Sequence, residues 1–224
     1  MNHYTLLPLS YPVNWAIRRE PVFRLLDDER WVDNFFETGE LMISCFEKFK
    51  NYPDEMQGDK EEGEAFIEGK DNEGNQHLIL YDSGLNAYIM STTTKIDKQV
   101  INDFNANCVI KINNPTEFAL EVAKKLPFVL GGIEGNCVYD EHRILSFKKK
   151  IDEYRFFKNG KFINDRIGLE EFREQTREYE LFLKREKYKH QNEYRFVWFT
   201  NKAVKDSYLV KCPEAIEFCE MIKL

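Results

Sequence analysis

Apolar and polar residues alternate most regularly late in the chain, in Glu193-Tyr-Arg-Phe-Val-Trp-Phe199, and this aromatic-rich run predicts a strand. With a period of two, Glu193, Arg195, Val197 and Phe199 share one face, while Tyr194, Phe196 and Trp198 share the other. A carboxylate at the start of such a strand has two readings. It forms a rim ion pair with Arg195, or it is held at the strand end to meet a ligand.

Short strand patterns fill much of the remaining chain. Pro21–Leu26 reads as a strand, with Asp27 or Asp28 capping a helix whose apolar face is Trp31, Val32, Phe35 and Phe36. Gly39 suits the end of that helix, and Leu41–Phe46 resumes as a strand. The polar, acidic stretch Lys48–Glu64, punctuated by Pro53, Gly58 and Gly63, reads as a long surface loop. Phe66–Glu68 and Leu78–Tyr81 flank a hairpin through Asn72–Gly74, and Ala87–Thr94 is another strand. Asp97 caps a short helix towards Phe104, Cys108–Ile112 is a strand, and Pro115 opens a helix burying Phe118, Ala119, Val122, Ala123 and Leu126. Asn136–Asp140 and Arg143–Phe147 are short strands around a turn. The longest helix is expected from about Leu169 to Glu186, Tyr208–Lys211 as a late strand, and Pro213 as the start of a terminal helix carrying Ala215, Ile216, Cys219 and Ile222. Helices scattered between non-alternating strands predict an α+β fold, a single domain over 1–224, with mixed, mostly antiparallel sheets and flanking helices.

Composition narrows the function classes. Aromatic residues make up 14% and charged residues 32% of 224, the balance of a globular chain with a solvated surface. A net charge of −7 argues against a broad footprint for duplex DNA or an anionic membrane. A local basic groove along Lys148, Lys149, Lys150, Lys158 and Lys161, interleaved with Tyr154, Phe156 and Phe157, reads either as a solvated face over packed aromatics or as a surface for single-stranded bases. The five cysteines are scattered without a CxxC pair, which points to reduced thiols, and the four histidines show no zinc spacing. No signal region or membrane span is evident, so a cytoplasmic protein without a structural metal is expected.

Phosphate-binding and serine-nucleophile signatures are missing: there is no GxxxxGK[ST] and no GxSxG, and Gly131-Gly-Ile-Glu-Gly135 lacks dinucleotide spacing. The acidic stretch 54–63 matches no EF-hand order and reads as a solvated loop, although Gly58 and Gly63 bracket Asp59 and Glu62 and allow a tight turn there. Three separated elements make a joint case: Arg24 on the first strand, Ser91-Thr-Thr93 on a central one, and Glu193. Together they supply a cation for a pyrophosphate, hydroxyls for a sugar, and a carboxylate able to stabilise an oxocarbenium-like transition state.

In these motifs the chain resembles the ADP-ribosyltransferase superfamily. Val22–Ser44 is similar to its opening, Ala87-Tyr-Ile-Met-Ser-Thr-Thr93 to its central Ser/Thr strand, and Gln191-Asn-Glu-Tyr-Arg-Phe-Val197 to its strand bearing the catalytic glutamate. The resemblance implies Glu193 as the catalytic carboxylate, with Arg24 and Ser91 contacting NAD and Thr92 supporting the nicotinamide ribose. Gln191 and Arg195 would lie on the substrate side. NAD would be the substrate, a protein or nucleic acid the acceptor, and an inhibitory partner protein is implied by the superfamily's roles as toxins and in antiphage defence. Where that superfamily commonly has a Glu-x-Glu or Gln-x-Glu pair, this chain reads Gln191-Asn-Glu193. Nearly the whole chain also resembles an uncharacterised bacterial family with an Asp and Glu-Gly loop, here Asp59 and Glu62-Gly63, and a late motif, here Lys187, Glu193 and Arg195. The rival reading is a non-catalytic interaction or sensor module that recognises a partner through the acidic loop.

Overall fold

The run at 193–200 lies inside a nine-stranded sheet whose pairings are all antiparallel. A computed structural model describes residues 2–4, 20–53, 58–82, 84–146, 150–168, 171 and 179–224. Its strands are β1 (Asn2–Tyr4), β2 (Val22–Leu26), β3 (Glu40–Cys45), β4 (Glu64–Lys70), β5 (Gln76–Asp82), β6 (Ala87–Thr93), β7 (Cys108–Ile112) and β8 (Val129–Asn136). They continue with β9 (Val138–Tyr139), β10 (Ile144–Ser146), β11 (Phe157–Lys158), β12 (Lys161–Phe162), β13 (Leu183–Lys184), β14 (Glu193–Thr200), β15 (Tyr208–Lys211) and β16 (Cys219–Lys223). The α-helices whose residues are all described are α1 (Glu29–Thr38), α2 (Phe46–Lys50), α3 (Lys98–Asp103) and α4 (Pro115–Lys125). The fold is thus α+β and mostly antiparallel, as expected. Among the described residues no helix is long and apolar enough to cross a membrane.

The main sheet runs β1-β8-β14-β6-β2-β7-β16, with β3 also on β6 and β15 on β3. One edge of β6 therefore serves two strands. β2 meets it at Phe23 opposite Thr93, and β3 meets it at Ser44 and Cys45 opposite Ile89 and Tyr88. Between these contacts the sheet forks at Met90–Thr92.

Alternation along β14 divides the interior in two. Tyr194, Phe196 and Trp198 face α1 and α4 in the larger apolar cluster, with Val32, Phe35, Phe118 and Val122. The helices sit there because their ends are fixed. Asp28 caps α1 by accepting from the Arg30 N–H, Asn114 caps α4 by accepting from the Glu117 N–H, and Pro115 occupies the first turn of α4. Gly39 ends α1 at φ 78°, and a Cβ there would lie 2.3 Å from the Pro213 nitrogen, so both conformation and space demand glycine. Val197 faces the other way, into a smaller cluster with Phe46, Ile89, Ile133, Leu181 and Phe182.

Two expectations are corrected. The helix expected over Leu169–Glu186 does not reach its expected end: 166–168 and 171 are helical, 169–170 and 172–178 lie outside the described residues, and the chain then forms a 3-10 turn (Tyr179–Phe182) and β13, parallel to β9. The terminal helix is a 3-10 segment, Pro213–Phe218, followed by β16, because pairing with the open edge of β7 outweighs the local helical spacing. β8 is a long strand despite three glycines. Gly131, Gly132 and Gly135 lie directly across from Phe199, Trp198 and Arg195, so the bulky residues of β14 face positions without side chains.

The aromatics of the basic segment do not form a stacking platform. Tyr154, Phe156 and Phe157 are buried with Ile151 in a third cluster beneath the small sheet β10-β4-β5. Lys148 and Lys149 lie outside the described residues. All five cysteines are free thiols, and Cys45, Cys108, Cys137 and Cys212 are buried.

Candidate functional site

At the fork of the sheet, on the face away from α1 and α4, a small cavity of about 60 Å³ opens between Phe23 and Leu25 of β2, Ser91 to Thr93 of β6, and Glu193 of β14. Phe49, Phe104, Glu62, Lys184 and Gln191 complete its wall. Strand alternation explains the choice of side chains. Phe23 and Leu25 project from one side of β2, and Ser91 and Glu193 meet because Ser91 is paired with Arg195, two residues along β14.

Glu193 is 6% exposed and makes three side-chain contacts. Its Oε1 accepts from Ser91 Oγ at 2.6 Å and from Arg195 Nε at 2.6 Å, and its Oε2 accepts from Lys184 Nζ at 2.7 Å. Arg195, fully buried, donates through Nη1 to the Leu181 carbonyl at 2.5 Å and lies 2.6 Å from Glu62 Oε1. Lys184 also donates to Gln191 Oε1 at 3.3 Å, and its ammonium lies 4.6 Å from the centre of the Tyr188 ring. Two carboxylates and two cations thus form a buried cluster of zero formal charge.

Burial by itself raises the pKa of Glu193, but Arg195 and Lys184 overcome that and hold it well below the usual carboxylate range. Burial likewise disfavours the Lys184 ammonium, and Glu193 and Glu62 reverse the effect, so its pKa is raised. Glu193 is therefore ionised and Lys184 protonated at neutral pH. Removing Glu193 would leave Lys184 and Arg195 as two buried cations with Glu62 alone to balance them.

The segment carrying Glu62 is fastened by three acid–arginine contacts. Asp59 lies 3.1 Å from Arg143, Glu61 2.6 Å from Arg185, and Glu62 pairs with Arg195. Asp59 and Glu62 are buried, so this part of the acidic stretch is folded inwards rather than solvated. Residues 54–57 lie outside the described residues.

The candidates divide accordingly. Ser91, Thr92, Gln191 and Glu193 line the cavity, and Arg195 lies beneath Glu193. Thr92 is buried, and its hydroxyl donates to the Tyr194 carbonyl at 2.8 Å. Arg24 does not join them. It alternates with Phe23 and Leu25 and points to the opposite face, where Nη1 contacts Met90 Sδ at 2.8 Å and Nη2 donates to the Met42 carbonyl at 2.8 Å. Its guanidinium bridges the fork between β2, β3 and β6, so the pyrophosphate clamp expected of Arg24 is not placed at the cavity. Sequence reasoning missed Lys184, which sits inside a stretch patterned like a helix. The only local signal is a lysine closing the apolar run Leu181-Phe-Leu183.

Among the described residues no group of three or more His, Cys, Asp or Glu side chains is placed to hold a metal ion. No protein-family model, curated protein or solved structure matches the chain.

Proposed function

We propose that the cavity binds the nicotinamide ribose portion of NAD and that the protein transfers ADP-ribose to a macromolecular acceptor, on a fold of the ADP-ribosyltransferase kind. The observation carrying this reading is the Glu193 carboxylate, buried and hydrogen-bonded by Ser91, at the edge of a cavity walled by Phe23, Phe49 and Phe104. In the reaction the bond between the ribose C1′ and the nicotinamide nitrogen breaks, and its electron pair leaves with the ring, which becomes neutral. The oxocarbenium-like C1′ is stabilised by Glu193 and captured by an acceptor nucleophile, which gives up its proton. Ser91 orients the carboxylate, and Arg24 takes no part.

A second reading, the non-catalytic module, has its own support. Both oxygens of Glu193 are already engaged and the cluster is neutral without a ligand. One experiment separates them: nicotinamide release from NAD by the purified protein and by Glu193→Gln, with cell lysate as a source of acceptor. Release by the native protein and its loss in the variant is the expected result. No release and no NAD binding by folded native protein would leave the ion cluster a structural feature.

A further inference from the structure

The charges lining the cavity are unequal. Glu62 and Glu193 both reach its wall, whereas Lys184 is the single cation among the described lining residues, because Arg195 lies beneath. Three phenylalanines and two carboxylates around a small space make a receptor for a cation that also has a flat apolar face. In the ligand-free chain that position is taken by the Lys184 ammonium, 2.7 Å from Glu193 Oε2.

Lys184 also has somewhere else to go. Gln191 Oε1 is 3.3 Å from its nitrogen and the Tyr188 ring centre 4.6 Å, so on leaving Glu193 the ammonium keeps an acceptor and an aromatic face. Arg195 has no such freedom. It is fully buried, fixed by Leu181, Glu62 and Glu193, and it keeps Glu193 in place when Lys184 departs.

We propose that Lys184 is a resident counter-ion, occupying beside Glu193 the place that the positive charge of a cationic aromatic ring takes when a ligand enters. The cavity then selects a pyridinium-like ring over a neutral one, and entry exchanges one cation for another instead of adding a charge. This deepens the reading of Glu193 as a ligand-facing carboxylate and rests on it. It also explains why a carboxylate meant for a positive centre is neutralised at rest: an unpaired one in this setting would destabilise the fold.

The test measures binding alone, with the full chain and two probes, the cation 1-methylnicotinamide and neutral nicotinamide. The native protein is expected to bind the cation about tenfold better than the neutral ring. Lys184→Met, which removes the competitor, should tighten the cation by about tenfold and leave the neutral ring unchanged. Glu62→Gln should weaken the cation by a similar factor. If Lys184→Met does not fold, Lys184→Gln, whose amide keeps a donor for Glu193, takes its place beside Glu62→Gln. Equal binding of the two probes, no binding of the cation, or a cation affinity that falls on removing Lys184 would overturn the proposal. Neither probe has a ribose to cleave. Cation selectivity without nicotinamide release from NAD would therefore remove the transferase reading and leave the counter-ion exchange standing.

Discussion

One strand, β14, shows two ways of filling an interior. On one face Tyr194, Phe196 and Trp198 pack against α1 and α4, and the indole N–H finds its acceptor in the Ala119 carbonyl at 3.0 Å. On the other, Glu193 and Arg195 are buried just as deeply but among charges. The apolar face gains stability from area removed from water, about 1.5–3 kcal/mol for each large side chain. The ionic face recovers the cost of desolvation only while every partner is present. Packing errors on the first face leave voids; errors on the second leave naked charge. A cluster so demanding, placed at the mouth of a cavity, is better explained by what it can contact than by what it contributes to stability.

The sharpest break in this comparison is a single removal on each face. Arg195→Met strands Glu62 and leaves two buried carboxylates to Lys184 alone, and should cost about 3–5 kcal/mol in urea unfolding, and Trp198→Ala should cost a similar ~3–5 kcal/mol through its cavity. The faces differ when pairs are removed. Glu193→Leu with Arg195→Met leaves Lys184 and Glu62 to balance each other, and the double variant should lie within about 2 kcal/mol of the native chain, far from the sum of its parts. A double truncation on the apolar face has no such recovery, so a strictly additive loss in the ionic pair would refute the distinction.

Next in size is the effect of acid. The pKa of Glu193 is lower in the folded chain than in the unfolded one, so its stabilisation is complete above the ordinary value of 4.5 and is lost as pH falls below it. Glu193→Gln should therefore flatten the decline of stability with acid in that range, measured as urea midpoints at stepped pH. Arg24→Ala, which opens the fork, should cost about 1.5–3 kcal/mol yet leave ring binding at the cavity unchanged. A loss of binding would return Arg24 to the site. Smallest is Arg185→Ala, which breaks a half-exposed pair with Glu61 and should change stability by no more than about 1 kcal/mol.

What the sequence discloses follows the same divide. β2, β3, β6, β7 and β15 are legible because β-branched and aromatic runs are bounded by caps and turn residues, and both faces of β14 follow from its alternation alone. β8 is hidden because Gly131, Gly132 and Gly135 lower its propensity, and its place is decided by the strands on either side. Ser91, Gln191 and Glu193 can be singled out by residue type. Lys184 and the inward turn of Glu62 cannot, because an ion pair between distant segments leaves no periodic trace and a charged run looks solvated. Arg24 misleads for a geometric reason: only the fork shows that the next residue on either side, and not Arg24, faces the cavity.

The position of β14 also bears on how the chain is made. This strand fills the gap between β8 and β6, yet six of the eight other strands of the sheet precede it in the chain. During synthesis β6 and β8 emerge with facing edges unpaired, and Asp59, Glu61 and Glu62 wait for arginines more than eighty residues away. Such long-range closure is slow, and open edges invite pairing with other chains. A ribosome that stalls before residue 193 thus releases a product with two sticky borders and no keystone, so chaperone demand should rise sharply for truncations on that side and fall once the strand has cleared the exit tunnel.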